Sequence, residues 1–234
     1  MQLFYNSDIK QGATTFFFDK EESKHIVKVL RKKESDKIFI TNGLGFLFES
    51  EIILASEKKC EVKITKETFQ EPDKFYTHIA VAPTKMNDRL EWFLEKATEI
   101  GIHEITPIIC DHSERKVYKI DRAEKIIQAA MKQSLHYYIP KINEPISFAQ
   151  FVKSNSDGQK FIAHCEETHK KSFKNEVIKD GKITILIGPE GDFSIKEINL
   201  AIENEFIPVT LGNTRLRTET AALVACHTIA LINE

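Results

Sequence analysis

Alternating buried strands and amphipathic helices over the last two thirds of the chain constrain the fold most. Apolar runs typical of buried strands occur in HIAVAP, EITPII, KFIAHC, KITILI and IPVTLG. Between the first two runs, Asp88–Ile100 repeats apolar residues at helical spacing and stops at Gly101, a natural helix end. Asp121 and Ser194 begin two further helices with capping-box patterns, and TETAALVACHTIALI predicts a closing helix. This alternation predicts an α/β layer built on a mostly parallel sheet.

The segment before residue 70 has a different pattern, with several short strands and little helix. KIFITNGLGFLFESEII contains two β-rich runs joined at Asn42-Gly43, a dipeptide that favours a tight hairpin, and CEVKIT adds another strand. SKHIVKVLRKK reads as one short helix with Ile26, Val27 and Leu30 on one face. This pattern predicts a compact β-barrel. The polar stretch around Pro72 marks a boundary, so we expect one domain at residues 1–70 and a second at 73–234.

Composition excludes several function classes. The four cysteines are scattered without a C-x-x-C pair, so neither a disulfide framework nor a metal site is expected, and a reducing compartment fits. We recognise no secretory signal and no apolar run of about 18 residues, which favours a soluble cytoplasmic protein. The formal net charge of −2 does not indicate nucleic-acid binding, but a local basic patch is sufficient for it.

The loop Gly188-Pro189-Glu190-Gly191-Asp192 follows a buried strand and precedes a capped helix. Ligands of open parallel sheets bind beyond the carboxyl ends of strands, which is where this loop is expected. It lacks both glycine-rich phosphate fingerprints, and its two carboxylates would repel a pyrophosphate. A neutral or cationic ligand such as S-adenosylmethionine suits it better. The alternative is a simple tight turn whose Asp192 is favoured near a helix start.

A second loop, LGNTRLRTET, lies between the last strand and the closing helix. Arg215, Arg217 and Glu219 occupy alternate positions in it, and arginine offers a planar fork suited to phosphates or bases. The alternative is a solvated turn with an Arg215–Glu219 ion pair.

Five motifs together resemble the RsmE family: IGPEG, LGNTRLRTETAAL, KATEIG, SERK and HIVKVLR occur in the order typical of that family. The resemblance spans nearly the whole chain. It implies a PUA-like β-barrel followed by a SPOUT α/β domain with a C-terminal trefoil knot. It also implies a homodimer that uses S-adenosylmethionine to methylate N3 of a uridine in 16S ribosomal RNA of the small ribosomal subunit.

Two positions depart from the family pattern. Asp192 stands where the family usually has a second glycine. Gln133-Ser134-Leu135-His136 replaces the usual Gln-(Ser/Cys)-Gly-Arg. His136 can still donate hydrogen bonds but lacks the permanent charge of an arginine, so RNA phosphate is expected to be bound differently there.

The resemblance assigns roles to the two loops. Arg217 is expected to stabilise the uracil anion, and Glu219 to orient Arg217 or act as a base. Glu190 is expected to hold backbone N–H groups or to face the cationic end of the cofactor. The expected cofactor-binding residues are Ile187, Gly188, Pro189, Glu190, Gly191, Leu211, Gly212, Leu216, Thr218 and Ala221.

Three places are candidates for RNA contact. HIVKVLRKK concentrates positive charge in nine residues, with His25, Lys28 and Arg31 as the chosen contacts, although a solvated helix face would look the same. Arg115 lies in the family's substrate-side loop SERK. Lys132 and His136 flank a stretch whose Tyr137 and Tyr138 would either stack on bases or serve as packing contacts.

Two competing functions remain open from the sequence. One is a SPOUT methyltransferase acting at another RNA position, such as a ribose 2′-hydroxyl. The other is a non-catalytic RNA-binding factor of ribosome assembly. The intact Gly-Pro-Glu-Gly and Leu-Arg-Thr-Glu-Thr motifs favour an enzyme.

Overall fold

The computed structural model describes residues 1–154, 157–166 and 170–234, which form two compact units. The first unit contains residues 1–72 and 131–139, and the second contains residues 73–130 and 140–234. Within the described ranges, none of the helices combines the length and apolar character needed to cross a membrane.

The first unit is built on one mixed sheet of five strands. Its elements are β1 (Leu3–Tyr5), β2 (Thr15–Phe17), α1 (Lys20–Lys24), β3 (Lys37–Thr41), β4 (Phe46–Leu54) and β5 (Glu61–Phe69). The strand order is β1-β3-β4-β5-β2, and only β1 and β3 pair in parallel. Strands β3 and β4 pair antiparallel, as the predicted hairpin requires, but the last pair is Thr41 with Leu47, so the connection is longer than the tight turn expected at Asn42-Gly43. Phe4, Phe48 and Ile40 lie in the apolar core beneath this sheet.

The predicted basic helix begins earlier and is less regular than expected. Asp19 caps it by accepting a hydrogen bond from the Glu22 N–H, and α1 then continues as a π turn over His25–Val29. Ile26 is buried in the core, with Val27 and Leu30 packed against it. The expected apolar face is therefore present, although the turn is π rather than α.

Residues 131–139 contribute to the first unit through backbone and tyrosine contacts. The Tyr137 carbonyl accepts a hydrogen bond from Thr41 Oγ1 at 3.1 Å. The Tyr138 hydroxyl donates to the Gln70 carbonyl at 2.7 Å, and Tyr138 forms a β-bridge with Leu44. These contacts give both tyrosines a structural role and favour the packing alternative over base stacking.

The second unit is an α/β layer around eight strands that all pair in parallel. Its elements are β6 (Phe75–Val81), α2 (Asn87–Ile100), β7 (Glu104–Ile109), α3 (Asp121–Ser134), β8 (Lys141–Ile142), β9 (Ile146–Ser147), α4 (Phe148–Ser154), β10 (Gln159–Ala163), β11 (Lys171–Ser172), α5 (Phe173–Glu176), β12 (Gly181–Ile187), α6 (Ile195–Glu203), β13 (Ile207–Thr210) and α7 (Thr218–Asn233). Helix α3 ends with a turn whose last residues belong to the first unit. The strand order is β11-β13-β10-β12-β6-β7-β8, with β9 also paired to β7. The α/β architecture expected from the alternation is confirmed.

Several boundaries follow directly from local chemistry. Helix α2 ends at Gly101, which adopts a left-handed φ of 102° that glycine tolerates best. Helix α6 begins with a complete capping box: Ser194 accepts from the Glu197 N–H, and the Glu197 side chain accepts from the Ser194 N–H. Phe148, Phe193 and Phe206 fill part of the buried core on one side of the sheet.

Candidate active site

Three adjacent parallel strands, β13, β10 and β12, end at the same edge of the sheet. The loop after β12, loop A, is Gly188–Asp192. The loop after β13, loop B, is residues 211–217. The loop after β10, loop C, begins at His164 and is described at residues 164–166 and 170. Parallel pairing therefore brings together the two loops that the sequence predicts and a third that it does not.

Hydrogen bonds join loop A to its neighbours. The buried Thr218 hydroxyl donates to the Gly188 carbonyl at 3.0 Å, which ties the start of α7 to loop A. Asp192 Oδ2 accepts from the Cys165 N–H at 2.7 Å, which ties loop A to loop C. Asp192 therefore does more than start a helix, because α6 begins only after Ser194.

Loop A also contacts the loops that follow β6 and β7. Glu190 Oε1 accepts from the Lys85 N–H at 3.0 Å, a structural role of the kind expected for this carboxylate. The Arg115 guanidinium donates to the carbonyls of Thr84 and Lys85 at 3.2 and 2.8 Å. Arg115 thus stabilises the loop after β6. A contact between Arg115 and RNA, as predicted from the sequence, would have to compete with these hydrogen bonds.

Two cavities of about 670 and 350 Å³ lie beside these loops, within the range usual for small-molecule sites. The predicted cofactor residues that line the larger cavity are Gly191, Leu211, Gly212, Leu216 and Ala221. Those that line the smaller one are Ile187, Gly188, Pro189, Glu190, Leu216, Thr218 and Ala221. Leu216 and Ala221 belong to both cavities, so all ten predicted residues converge on one region.

The two predicted catalytic residues have different surroundings. Arg217 is exposed and lines the smaller cavity together with Glu190. Glu219 is buried, and its Oε1 lies 4.0 Å from Nε of Arg89. Glu219 therefore faces Arg89 on α2. This geometry does not provide the expected orientation of the Arg217 side chain by Glu219. Glu219 Oε2 has no hydrogen-bond partner among the described residues.

His164 is a site residue that the sequence reasoning missed. It follows β10 directly, is 7% exposed and lines the larger cavity. Neither ring nitrogen has a hydrogen-bond partner in the described part of the chain. Burial, reinforced by nearby Lys170, lowers the pKa of the imidazole below its usual 6.5. Ligands of parallel sheets bind beyond the carboxyl ends of the strands, and His164 and Cys165 end the predicted strand KFIAHC. This rule would have identified His164 from the sequence.

Comparison with protein families decides what kind of site this is. A family model described as an RNA methyltransferase domain matches residues 71–230. The chain belongs to the RNA methyltransferase family. A second model, described as the PUA domain of RNA methyltransferases, matches residues 18–65. Both matches confirm the resemblance drawn from the five motifs.

Two curated relatives of this RNA methyltransferase are both named ribosomal RNA small subunit methyltransferase E. The protein from Buchnera aphidicola (subsp. Acyrthosiphon pisum) is 34% identical over 219 residues, covering 90% of this chain and 85% of its own. The protein from Bacillus subtilis is 31% identical and covers 100% of this chain and 98% of its own.

Solved structures agree with the fold. A Porphyromonas gingivalis protein, described as a "probable rRNA-methyltransferase", superimposes with a TM-score of 0.91 at 38% identity and covers 100% of this chain and 98% of its own. A Legionella pneumophila methyltransferase, solved in complex with SAM, gives a TM-score of 0.88 at 27% identity over 99% of this chain and 97% of its own.

Both departures from the family pattern fall at left-handed backbone positions. Asp192 has φ of 64° and Leu135 has φ of 60°. Glycine adopts this conformation freely, whereas other residues meet a steric cost of about 1–2 kcal/mol, which Asp reduces through local hydrogen bonding. Leu135 ends helix α3, and the following His136 N–H donates to the Met131 carbonyl. A glycine at either position is therefore explained by backbone geometry.

The remaining predicted RNA contacts all belong to the first unit. His25, Lys28 and Arg31 are exposed on and just after the π turn, with His25 Nδ1 3.2 Å from Glu22 Oε1. Lys132 and His136 are partly buried at the end of α3. Arg31 has a left-handed φ of 54°, which ends the helix and leaves its side chain at the surface.

A second polar cluster of this methyltransferase lies away from the loops, around buried His78 on β6. His78 Nε2 is 2.8 Å from Thr106 Oγ1, and Nδ1 is 3.7 Å from Glu104 Oε2. Burial, with smaller effects of Lys182 and Lys141, lowers the pKa of His78 to about 4, although Glu104 opposes the shift. His78 is therefore neutral in the folded protein at neutral pH.

This shift predicts acid sensitivity of the fold. Between about pH 6.5 and 4 the unfolded chain binds a proton at His78 that the folded chain does not, so stability falls as pH falls. From pH 7 to 5 the His78 contribution should be a loss of about 2 kcal/mol in the free energy of unfolding. Urea unfolding at both values should show a smaller pH-dependent loss for His78→Gln than for the wild type. Equal losses in the two proteins would contradict the prediction.

Proposed function

We propose that this RNA methyltransferase uses S-adenosylmethionine to methylate N3 of a uridine in small-subunit ribosomal RNA. The main observation in support is that the ten residues expected to bind the cofactor all line the cavities beside loops A and B. The names of the full-length relatives support ribosomal RNA of the small subunit as the substrate. The SAM complex of the Legionella protein supports the cofactor.

The residues around the cavities fit this cofactor. Their charges have both signs: Glu166, Glu190 and Asp192 are acidic, and Lys170, Arg215 and Arg217 are basic. S-adenosylmethionine carries an ammonium, a sulfonium and a carboxylate, so a mixed lining complements it. A pyrophosphate would instead meet the carboxylates of loop A. Gly188 supports close packing here, since a Cβ at this position would lie 3.1 Å from the Phe193 ring.

Methyl transfer requires alignment and a nucleophilic uracil nitrogen. When bound, the cofactor supplies an electrophilic methyl carbon attached to positively charged sulfur. The N3–CH₃ bond forms as the sulfur–methyl bond breaks, and the N3 proton leaves to water or to a base. Arg217 at the smaller cavity would stabilise the negative charge that develops on the uracil carbonyls. Glu219 would act as a positioning residue through Arg89 and the first turn of α7.

The same proposal includes the domain organisation, the knot, the oligomeric state and the location in the cell. Residues 1–70 would form a PUA-like RNA-binding domain, supported by exposed His25, Lys28 and Arg31. Residues 73–234 would form the SPOUT methyltransferase domain, except for residues 131–139, which belong to the first unit. A trefoil knot formed by the loops after β10, β12 and β13 and a homodimer are expected from the family resemblance. A cytoplasmic location follows from a ribosomal RNA substrate.

Nucleoside analysis tests this function. Purified protein, S-adenosylmethionine and small ribosomal subunits from cells lacking the gene should yield 3-methyluridine by mass spectrometry. Free small-subunit rRNA run in parallel shows which substrate form is used. Formation of 2′-O-methyluridine instead would indicate another methylation chemistry. RNA binding without any methylated nucleoside would identify a non-catalytic factor, and both results would refute the proposal.

A further inference from the structure

A row of polar side chains crosses the sheet of the second unit near the amino ends of its strands. The strand register pairs His78 on β6 with Glu104 on β7 and with Thr184 on β12. A cavity of about 260 Å³, lined in part by helix α4, lies over His78, Glu104 and Lys182. Strands rise about 3.3 Å per residue, so about 16 Å of β12 separates Lys182 from Ile187 and from loop A beyond it. This cavity is therefore distinct from the two cavities beside loops A and B.

His78 presents an unsatisfied buried nitrogen to this cavity. The residue is 5% exposed, and its Nε2 lies 2.8 Å from Thr106 Oγ1. Nδ1 has no hydrogen-bond partner among the described residues, because Glu104 Oε2, at 3.7 Å, is too far away for a hydrogen bond. Buried polar atoms are nearly always hydrogen-bonded, so Nδ1 points to a partner that occupies the cavity.

The neighbouring hydrogen bonds define what this partner must offer. Burial lowers the pKa of His78 to about 4, so the neutral ring carries one N–H. Asn143 Nδ2 donates to Glu104 Oε1 and to Thr106 Oγ1, both at 2.7 Å. Thr106 Oγ1 can accept from His78 Nε2 as well, which leaves Nδ1 as an acceptor beside the Glu104 carboxylate. Two acceptors 3.7 Å apart are completed by one group that donates to both, and a primary ammonium does this.

The cavity also carries charges of both signs. Lys182 and Glu144 line it, and neither forms an ion pair within the part of the chain that the structure describes. Burial raises the pKa of Glu104, but hydrogen bonds to its carboxylate and nearby positive charges outweigh this and hold the pKa below its ordinary value. A ligand with one charge would be repelled by part of this lining, whereas a zwitterion matches it. Ile146 and Phe151 add apolar surface for a short side chain.

We propose that this cavity binds a free α-amino acid with an apolar side chain, whose ammonium lies between Glu104 and His78 and whose carboxylate faces Lys182. The site lies away from loops A, B and C, and the inference does not rest on the proposed function.

Three small ligands test which charges the site recognises. L-leucine is the zwitterion, L-leucinamide keeps only the ammonium, and 4-methylpentanoate keeps only the carboxylate. Nuclear magnetic resonance of the full-length protein without cofactor follows the ring ¹⁵N signals of His78 and the methyl signals of Ile146. We expect saturable shifts of both residues with L-leucine. The other two ligands should bind roughly tenfold more weakly or worse, since each lacks one charged hydrogen-bonding group.

Lys182→Met tests the carboxylate end of the site. It should weaken L-leucine binding roughly tenfold and leave the affinity for L-leucinamide, which has no carboxylate, nearly unchanged. Lys179→Met is the matched control, because it makes the same replacement at an exposed lysine outside the cavity lining. This control should bind all three ligands as the wild type does.

Each outcome decides the question. Absence of saturable shifts with L-leucine, equal affinities of the wild type for the three ligands, or an unchanged L-leucine affinity in Lys182→Met would overturn the proposal. Should the Lys182→Met variant not fold, the comparison of the three ligands on the wild type decides it.

Discussion

Arg217→Ala is expected to lower the single-turnover methylation rate by about 100- to 1000-fold while the affinity for S-adenosylhomocysteine stays near that of the wild type. Arg217 is exposed at the smaller cavity, and no ion pair engages its guanidinium within the described residues. It is thus available to a charge that develops only during reaction. Removing one preorganised donor to such a charge typically costs about 2.7–4 kcal/mol of barrier.

Rapid-quench assays with saturating cofactor and small-subunit RNA measure the rate, and calorimetry measures cofactor affinity. Arg217→Lys is the matched variant, because it keeps the positive charge and loses the planar fork. We expect it to retain part of the activity. A near-normal rate for the alanine variant would exclude Arg217 from stabilising the transition state, and a large loss of cofactor affinity would make it a binding residue.

Local signals predicted the regular elements of the second unit well. The strand EITPII coincides with β7, and the predicted helix Asp88–Ile100 differs from α2 by one residue. The Ser194–Glu197 capping box is present in full. These features depend on periodicity and on hydrogen bonds within a few residues, which a sequence displays directly.

Features that depend on distant partners were not predictable in this way. Residues 131–139 belong to the first unit because Tyr137 and Tyr138 bond to Thr41 and Gln70, far away in the chain. Glu219 pairs with Arg89 on another helix rather than with nearby Arg217. Spacing along the chain carries no information about either partner.

The candidate site was predicted in part for the same reason. Motifs identified loops A and B, but the contribution of His164 required the strand order that places β10 between β12 and β13. Asp192 was unexplained in sequence, and its left-handed φ and its bond to the Cys165 N–H now account for it.

Glu197 links the helix that follows loop A to the loop that follows β7. Glu197 is only 6% exposed, and its carboxylate accepts two backbone hydrogen bonds. Oε2 accepts from the Ser194 N–H at 2.8 Å, and Oε1 accepts from the Asp111 N–H at 2.9 Å. Losing the carboxylate leaves both donors without this partner, and hydrogen bonds to charged groups contribute about 1.5–3 kcal/mol each.

Glu197→Ala is therefore expected to reduce the free energy of unfolding by about 3 kcal/mol, as measured by urea unfolding. Ser194→Ala is the matched control: it removes only the cap acceptor for the Glu197 N–H and a side-chain bond to Asp111, and should cost about 1 kcal/mol. Ser194 lies two residues after loop A, so the Glu197 carboxylate holds the backbone close to that loop. The Glu197→Ala variant should therefore also weaken cofactor binding more than the Ser194→Ala variant does. Equal losses of stability in the two variants would show that the link to Asp111 through Glu197 does not stabilise the site.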